Sequence, residues 1–179
     1  MLIFFSSCCT ELYFDEDETF WTDIYKENDN LIFQSQTNKM RFDTIQILLK
    51  TDYTPKGDCN FLVSKYDREG SVVESRYIHN GYTSDSDLFI QHFKEERGQS
   101  LPTLRVYGTE VHRYVLKDTV LQTKNLGRLS DCFTFSNRNT YNGYSKFEIK
   151  TFVWSKKYGL VMFVGENGEK YELIKKTRV

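Results

Sequence analysis

Residues 147–174 read FEIKTFVWSKKYGLVMFVGENGEKYELI. Two residues in positive φ make a type I′ turn, the tight link between antiparallel strands, and Asn-Gly is a preferred pair for it. Placing Asn167-Gly168 at that turn sets a register in which Val164 faces Tyr171, Met162 faces Leu173 and Leu160 faces Lys175. Side chains alternate along a strand, so Leu160, Met162, Val164, Tyr171 and Leu173 are expected on one apolar face, toward the core. Lys170 and Glu172 then share the opposite, partly wet face with Val161, Phe163 and Ile174. A slip of one residue would exchange the two sets. Upstream, 147–155 reads as another strand rich in aromatic and β-branched residues. Lys156-Lys157-Tyr158-Gly159 is a tight return in which Gly159 is free to take positive φ. The result is a three-stranded meander.

The pattern continues toward the N-terminus as short apolar runs separated by turn residues. Strands are expected at 31–36, 40–50 (where Ile45, Ile47 and Leu49 alternate with polar Thr44 and Gln46), 60–66 and 71–78. His79-Asn80-Gly81 reads as a turn and 82–87 as a polar loop. Residues 88–96 fit neither period cleanly, and we read them as a strand because 97–100 then forms a loop into the next one. Further strands are expected at 104–107, 111–115, 120–124 and 132–136. Turn signals this regularly spaced point to a mainly β fold, an antiparallel meander forming a barrel, half-barrel or sandwich.

One helix breaks the pattern. Phe20, Trp21, Ile24 and Tyr25 recur at helical spacing, and Asp15, Glu16, Asp17 and Glu18 precede them. Negative charge suits a helix N-terminus, so a short helix is predicted from Asp17 to Lys26, covering one end or face of the sheet.

The chain has 179 residues and fits a single domain with its own core. It holds 12 Tyr and 14 Phe against 2 Pro, which favours strands. Its net charge of -1 gives no basic footprint for nucleic acid. No run of about 20 apolar residues is present to span a bilayer as a helix.

The first nine residues, MLIFFSSCC, are apolar, then small, then cysteine. Phe5, Ser6, Ser7 and Cys8 resemble the lipobox of a bacterial lipoprotein signal peptide. Seven residues precede Cys8 and none is basic. At the other end, Trp154-Ser-Lys-Lys-Tyr-Gly-Leu-Val161 followed by Asn167-Gly-Glu-Lys-Tyr-Glu-Leu173 resembles the close of a group of Bacteroidetes lipoproteins, with Trp154 where a Tyr usually stands. The resemblance implies cleavage before Cys8, diacylation of its sulfur and an exported, β-rich, membrane-anchored protein. Residues 1–9 would then be the remnant of a signal peptide, and 10–179 the domain. It carries no activity to transfer. The acidic segment after Cys8 also resembles surface-export signals in such proteins, although a solvated helix start accounts for it better.

Candidate sites are few. Tyr141 and Tyr144, with Asn139 and Asn142, lie in the polar loop 137–145 and offer flat amphipathic rings beside paired donors and acceptors, suited to carbohydrate or protein contacts. Cys59 and Cys132 are either a disulfide of an oxidising compartment or two buried free thiols. His79, His92 and His112 are scattered, and neither they nor the cysteines have metal-ligand spacing. Asp85 and Asp87 lack the order of a calcium loop. A nucleophile elbow, a zinc-protease helix, a phosphate loop and a dinucleotide fingerprint are all missing, so no catalytic residue or cofactor is assigned.

The expectation is a lipid-anchored protein of the cell envelope (outer membrane, on its periplasmic or surface face) that binds or scaffolds. A half-barrel would offer its mouth to a small apolar ligand. The alternatives are an envelope hydrolase acting on glycan through unnamed carboxylates, and a soluble cytoplasmic interaction module whose first nine residues are merely apolar.

Overall fold

A computed structural model describes residues 10–57, 66–79, 82–107, 109–111, 116–136 and 149–178; for 77–79 and 82–87 it describes the backbone. The strands are β1 (Thr10–Leu12), β2 (Asp29–Ser35), β3 (Phe42–Tyr53), β4 (Tyr66–Arg68), β5 (Gly70–His79), β6 (Tyr82–Phe93), β7 (Thr103–Val106), β8 (Thr109–Val111), β9 (Asp118–Gln122), β10 (Arg128–Ser136), β11 (Ile149–Ser155), β12 (Gly159–Gly165) and β13 (Lys170–Arg178). Eleven of them form one sheet in the order β8-β7-β6-β5-β3-β2-β13-β12-β11-β10-β9, every neighbour antiparallel. β1 and β4 pair separately, in parallel.

That order is two meanders sewn together. From β2 the chain steps outward to β8. It then starts again at the far edge and steps inward from β9 to β13, which pairs with β2. Strand twist coils a sheet this wide, and the β7–β8 edge curls round to β11 and β12. The Tyr107 ring lies 4.7 Å from that of Phe163, and the Thr109 hydroxyl donates to the Ile149 carbonyl at 3.0 Å. The architecture is therefore a curled half-barrel, within the mainly β, antiparallel class expected.

The inside of the curl is solid. Cross-strand partners share a face, and the pairs Leu31–Ile45, Phe152–Phe163 and Phe163–Tyr171 continue one apolar surface from strand to strand. Phe163 stacks on Tyr171 at 4.9 Å and meets Phe33 edge-on at 5.1 Å. Val73, Leu88, Ile90, Leu104 and Val106 complete the lining, all fully buried.

The closing hairpin differs in register from the expectation. Met162 pairs with Glu172, Phe163 with Tyr171 and Val164 with Lys170. Phe163 therefore joins Tyr171 on the core face, while Met162 and Val164 go to the other face with Glu172 and Lys170. The cause is the turn. Asn167 does not have positive φ, whereas Gly168 does, at 79°. The Gly168 amide donates to the Gly165 carbonyl and the Gly165 amide to the Glu169 carbonyl, both at 2.9 Å. This is a three-residue loop, a type I turn followed by a left-handed glycine, and the Asn167 side chain closes it by accepting the Glu169 amide at 2.9 Å.

The Asp17–Lys26 helix also shrinks, to a single 3₁₀ turn at Thr19–Trp21. The aromatic stripe is real, because Trp21 and Tyr25 are fully buried. Tyr25, however, is drawn to the β11–β12 corner, where its hydroxyl accepts the Leu160 amide at 2.9 Å. Trp21 packs 5.7 Å from Phe133 and 5.8 Å from Trp154. Packing at two separate points replaces a continuous helical ladder, and Asn28, with φ 66°, turns the chain into β2.

The polar loop expected at 82–87 belongs to β6 instead. A register irregularity between the Glu74–Phe89 and Arg76–Asp85 pairs absorbs the extra residues of this strand. Leu88, Ile90 and His92 are its buried positions, and a histidine in the third of them is what blurred the alternation. Gly159 behaves as foreseen, with φ 78°. The strand expected at 60–66 falls outside the described residues except for Tyr66, and that at 111–115 except for Val111.

Candidate functional site

The structure gives each of the two tail segments, 154–161 and 167–173, a mechanical role. Trp154 is fully buried and meets Tyr25 edge-on at 5.7 Å. Ser155 donates its hydroxyl to Asp131 at 3.1 Å and accepts the Lys157 and Tyr158 amides at 3.1 and 3.2 Å. A Cβ on Gly159 would overlap the Tyr25 hydroxyl and come within 2.6 Å of Ile24 Cδ1. In the second motif, Glu169 accepts the Ser35 hydroxyl at 2.7 Å and pairs with Arg41 at 2.7 Å. Burial alone would raise its pKa, but those partners, with Tyr171 and Asn167, hold it lowered. Both motifs clasp strands together.

A second polar cluster clasps the N-terminal segment. Glu18 is 4% exposed. It accepts the Ser100 and Asp15 amides at 2.8 and 2.9 Å and pairs with Lys94 at 2.6 Å. Desolvation pushes its pKa up, but these donors outweigh that and bring it to about 2. Beside it, fully buried His92 stacks on Phe14 at 4.3 Å and its Nε2 bonds the Ser100 carbonyl at 2.9 Å. That bond to a carbonyl makes Nε2 the donor, and Nδ1 has no hydrogen-bond partner. Burial lowers the His92 pKa.

The arrangement suited to a ligand lies on the reverse face of the central strands. There a groove of about 200 Å³ runs between the β2–β3 connection, the β9–β10 turn and β13, lined by Gln34, Gln36, Lys39, Lys124, Asn125 and Glu172, with Ser35 and Ile174 beside them. The corrected register builds its floor: Gln34 on β2 is the partner of Glu172 on β13, so both point to this face. Glu172 is 3% exposed. One of its oxygens accepts the Lys124 amide at a long 3.4 Å. The other lies 3.0 Å from the Lys170 ammonium as an ion pair, without the alignment of a hydrogen bond. The Gln34 amide donates to the Lys39 carbonyl at 2.7 Å, which holds that turn against the strand. Amides, ammonium groups and a carboxylate around a cavity of this size can hold a small hydrophilic molecule.

The residues singled out from sequence lie elsewhere. Tyr141, Tyr144, Asn139 and Asn142, together with Cys8 and Cys59, are outside the described residues. Cys132 is a buried free thiol. Burial first, and then the Asp131 carboxylate, push its pKa up to about 11, so it is protonated and unreactive near neutral pH. Of the histidines, His92 is structural, His112 lies outside the described residues and the His79 side chain is not described. Among the described residues no group of three metal-ligating side chains gathers. In the sequence Glu172 stands out only as a residue of a partly wet strand face; its burial, at 3% exposed, comes with the fold. Lys124 and Asn125 were beyond reach of the sequence, because only the fold brings the β9–β10 turn over β13. Compared with protein-family models, curated proteins and solved structures, the chain matches none.

Proposed function

We propose that this is a lipid-anchored binding protein of the cell envelope, tethered through Cys8, that holds a hydrophilic ligand in the groove above Glu172. The observation that carries the binding reading is Glu172 itself. A carboxylate removed from water costs free energy unless it is fully paired, and this one keeps an oxygen without a hydrogen bond at the floor of an open polar groove. The clasping acids Glu18 and Glu169 are well satisfied by comparison. The apolar-ligand reading draws less support, since Phe33, Tyr107, Phe163 and Tyr171 fill the inside of the curl. The hydrolase reading needs two carboxylates facing a substrate, and Glu172 is the one carboxylate among the described residues lining the groove. The anchor rests on the lipobox resemblance and on position, for Cys8 stands two residues before β1.

The test has two arms. Cells expressing the wild type are labelled with an alkynyl fatty acid, and label is expected that Cys8→Ala abolishes; an unlabelled wild type ends the anchor. The purified chain is titrated with glycerol, glucose, ethanolamine, acetate and sulfate while backbone amide shifts are followed. At least one of them is expected to move Gln36, Lys124 and Asn125 and to leave the β11–β12 corner still. Silence at all three positions across the set removes the groove.

A further inference from the structure

We infer that the groove recognises an acidic saccharide, a uronic-acid unit within a short glycan; this rests on the groove being the binding site. Phe42 on β3 pairs with Gln34 on β2, and Gln34 pairs with Glu172 on β13. The three side chains therefore stand in one row on one face. With neighbouring strands about 4.8 Å apart, the row spans about 10 Å, the reach of a disaccharide. At its outer end Phe42 is 45% exposed, an unusual place for a phenylalanine on a strand that buries Ile45 and Ile47 completely. An exposed aromatic ring next to amide side chains is the pairing that sugars use. The C–H face of the ring lies on the aromatic surface, and the hydroxyls reach the amides.

Charge supplies the acid. Lys39, Lys124 and Lys170 surround the single carboxylate of Glu172. Lys170 is paired to it, whereas Lys39 and Lys124 have no carboxylate partner among the described residues. The groove thus carries a surplus of positive charge that a uronate neutralises. Glu172 acts as a positioning residue: by accepting the Lys124 amide it fixes the β9–β10 turn that carries the Lys124 side chain, and it holds the Lys170 ammonium beside the groove.

The probes are digalacturonate, cellobiose and sodium sulfate, titrated into the full chain with amide shifts and calorimetry as readouts. Digalacturonate is expected to saturate shifts at Gln34, Gln36 and Asn125, with cellobiose and sulfate at least tenfold weaker. Phe42→Ala should weaken digalacturonate about tenfold with an unchanged melting temperature. Lys124→Ala, at an exposed turn position, should bring digalacturonate down toward cellobiose. Equal binding of sulfate would make this a simple anion site, and equal binding of cellobiose would remove the acid preference; either overturns the proposal. If ethanolamine, acetate or glycerol moves the groove amides and neither disaccharide does, the groove stands and the saccharide falls. If none of these probes moves them, both fall.

Discussion

Two acids at the start of β13, Glu169 just before it and Glu172 within it, are treated in opposite ways. Near the hairpin turn, Glu169 takes a hydroxyl from Ser35 and a guanidinium from Arg41, and so ties the closing hairpin to the β2–β3 connection. Glu172, three residues on and on the other face, has a long contact from Lys124 and an ion pair that lacks hydrogen-bond alignment. The same contrast holds for larger regions. The corner from Trp154 to Leu160 is interlocked with Trp21 and Tyr25: the Ser155 hydroxyl and the Lys157, Tyr158 and Leu160 amides all have partners, and the one buried donor left over, Trp154 Nε1, is sealed in packed rings. The groove is open, wet and incompletely satisfied. Interlocking marks where the chain is held, and incomplete satisfaction beside open space marks where something else can enter.

The sharpest way to break this division is at the glycines. Gly159 and Gly168 have nearly the same positive φ, 78° and 79°. Alanine at either costs about 1–2 kcal/mol for its conformation alone. At Gly168 a Cβ meets nothing within 4 Å, so the loss should stop there. At Gly159 the same Cβ strikes Tyr25 and Ile24, and overpacking adds about 1–3 kcal/mol. Urea denaturation should therefore place Gly159→Ala about 2–5 kcal/mol below wild type and Gly168→Ala only about 1–2 below. Equal losses would mean that the corner is not interlocked.

The N-terminal clasp gives the next largest effect, and it is a pH effect. Glu18 falls from its ordinary 4.5 to about 2 in the folded chain. A lowered acid stabilises the fold fully above pH 4.5, and that stability disappears as the pH falls from 4.5 toward 2. The shift corresponds to about 3 kcal/mol. His92 also titrates low, because its burial disfavours the charged form. Below about pH 6.5 the unfolded chain takes up that proton while the folded one resists, so stability starts to fall there. Denaturation midpoints should decline in two stages on acidification, first from about pH 6.5 and then more steeply below 4.5. Glu18→Gln should flatten the lower stage and His92→Gln the upper. A midpoint independent of pH between 7 and 3 would show that the clasp contributes nothing.

The sequence carried the strand content but not the details that build the groove. Alternation at Ile45 and Ile47, the tight return at Gly159 and the burial of Trp21 and Tyr25 all followed from spacing. The register of the last hairpin did not. Asn-Gly serves both a two-residue turn with two positive φ values and a three-residue loop with one, and the choice depends on Asn167 capping the Glu169 amide. That single step moved Phe163 inward and put Met162 beside Glu172 on the reverse face. The short helix failed because periodicity reports which side chains share a face, and a 3₁₀ turn with two anchored aromatics meets the same condition. The groove was illegible because it joins the β2–β3 connection, the β9–β10 turn and β13, which meet only through long-range pairing.

A single oxygen atom tests the corner at finer scale. Tyr25→Phe keeps the ring against Trp154 and removes the acceptor of the Leu160 amide. A buried amide left without a partner costs about 1–3 kcal/mol. The loss should be local, so hydrogen exchange at Leu160 should accelerate more than at Ile45 or Leu31. Uniform acceleration would show that the hydroxyl serves the whole sheet and not the corner.

The smallest expected effect bears most directly on function. If Glu172 is kept for binding, the fold should scarcely need it. Replacing a buried, poorly satisfied ion by an apolar side chain of similar size is often neutral or stabilising, and the partner left behind is not trapped, because the Lys170 side chain is 32% exposed and can turn to water. Glu172→Leu should therefore change stability by less than about 1 kcal/mol, with Met162 beside it to receive the new side chain. Glu169→Leu, which strands Ser35 and Arg41, should cost clearly more. Both variants are compared by urea denaturation at pH 7, and the groove amides of Glu172→Leu are then titrated with digalacturonate. Stability retained with binding lost separates the two acids as site and clasp. A large loss of stability at Glu172 would make it a second clasp, and the contrast along β13 would disappear.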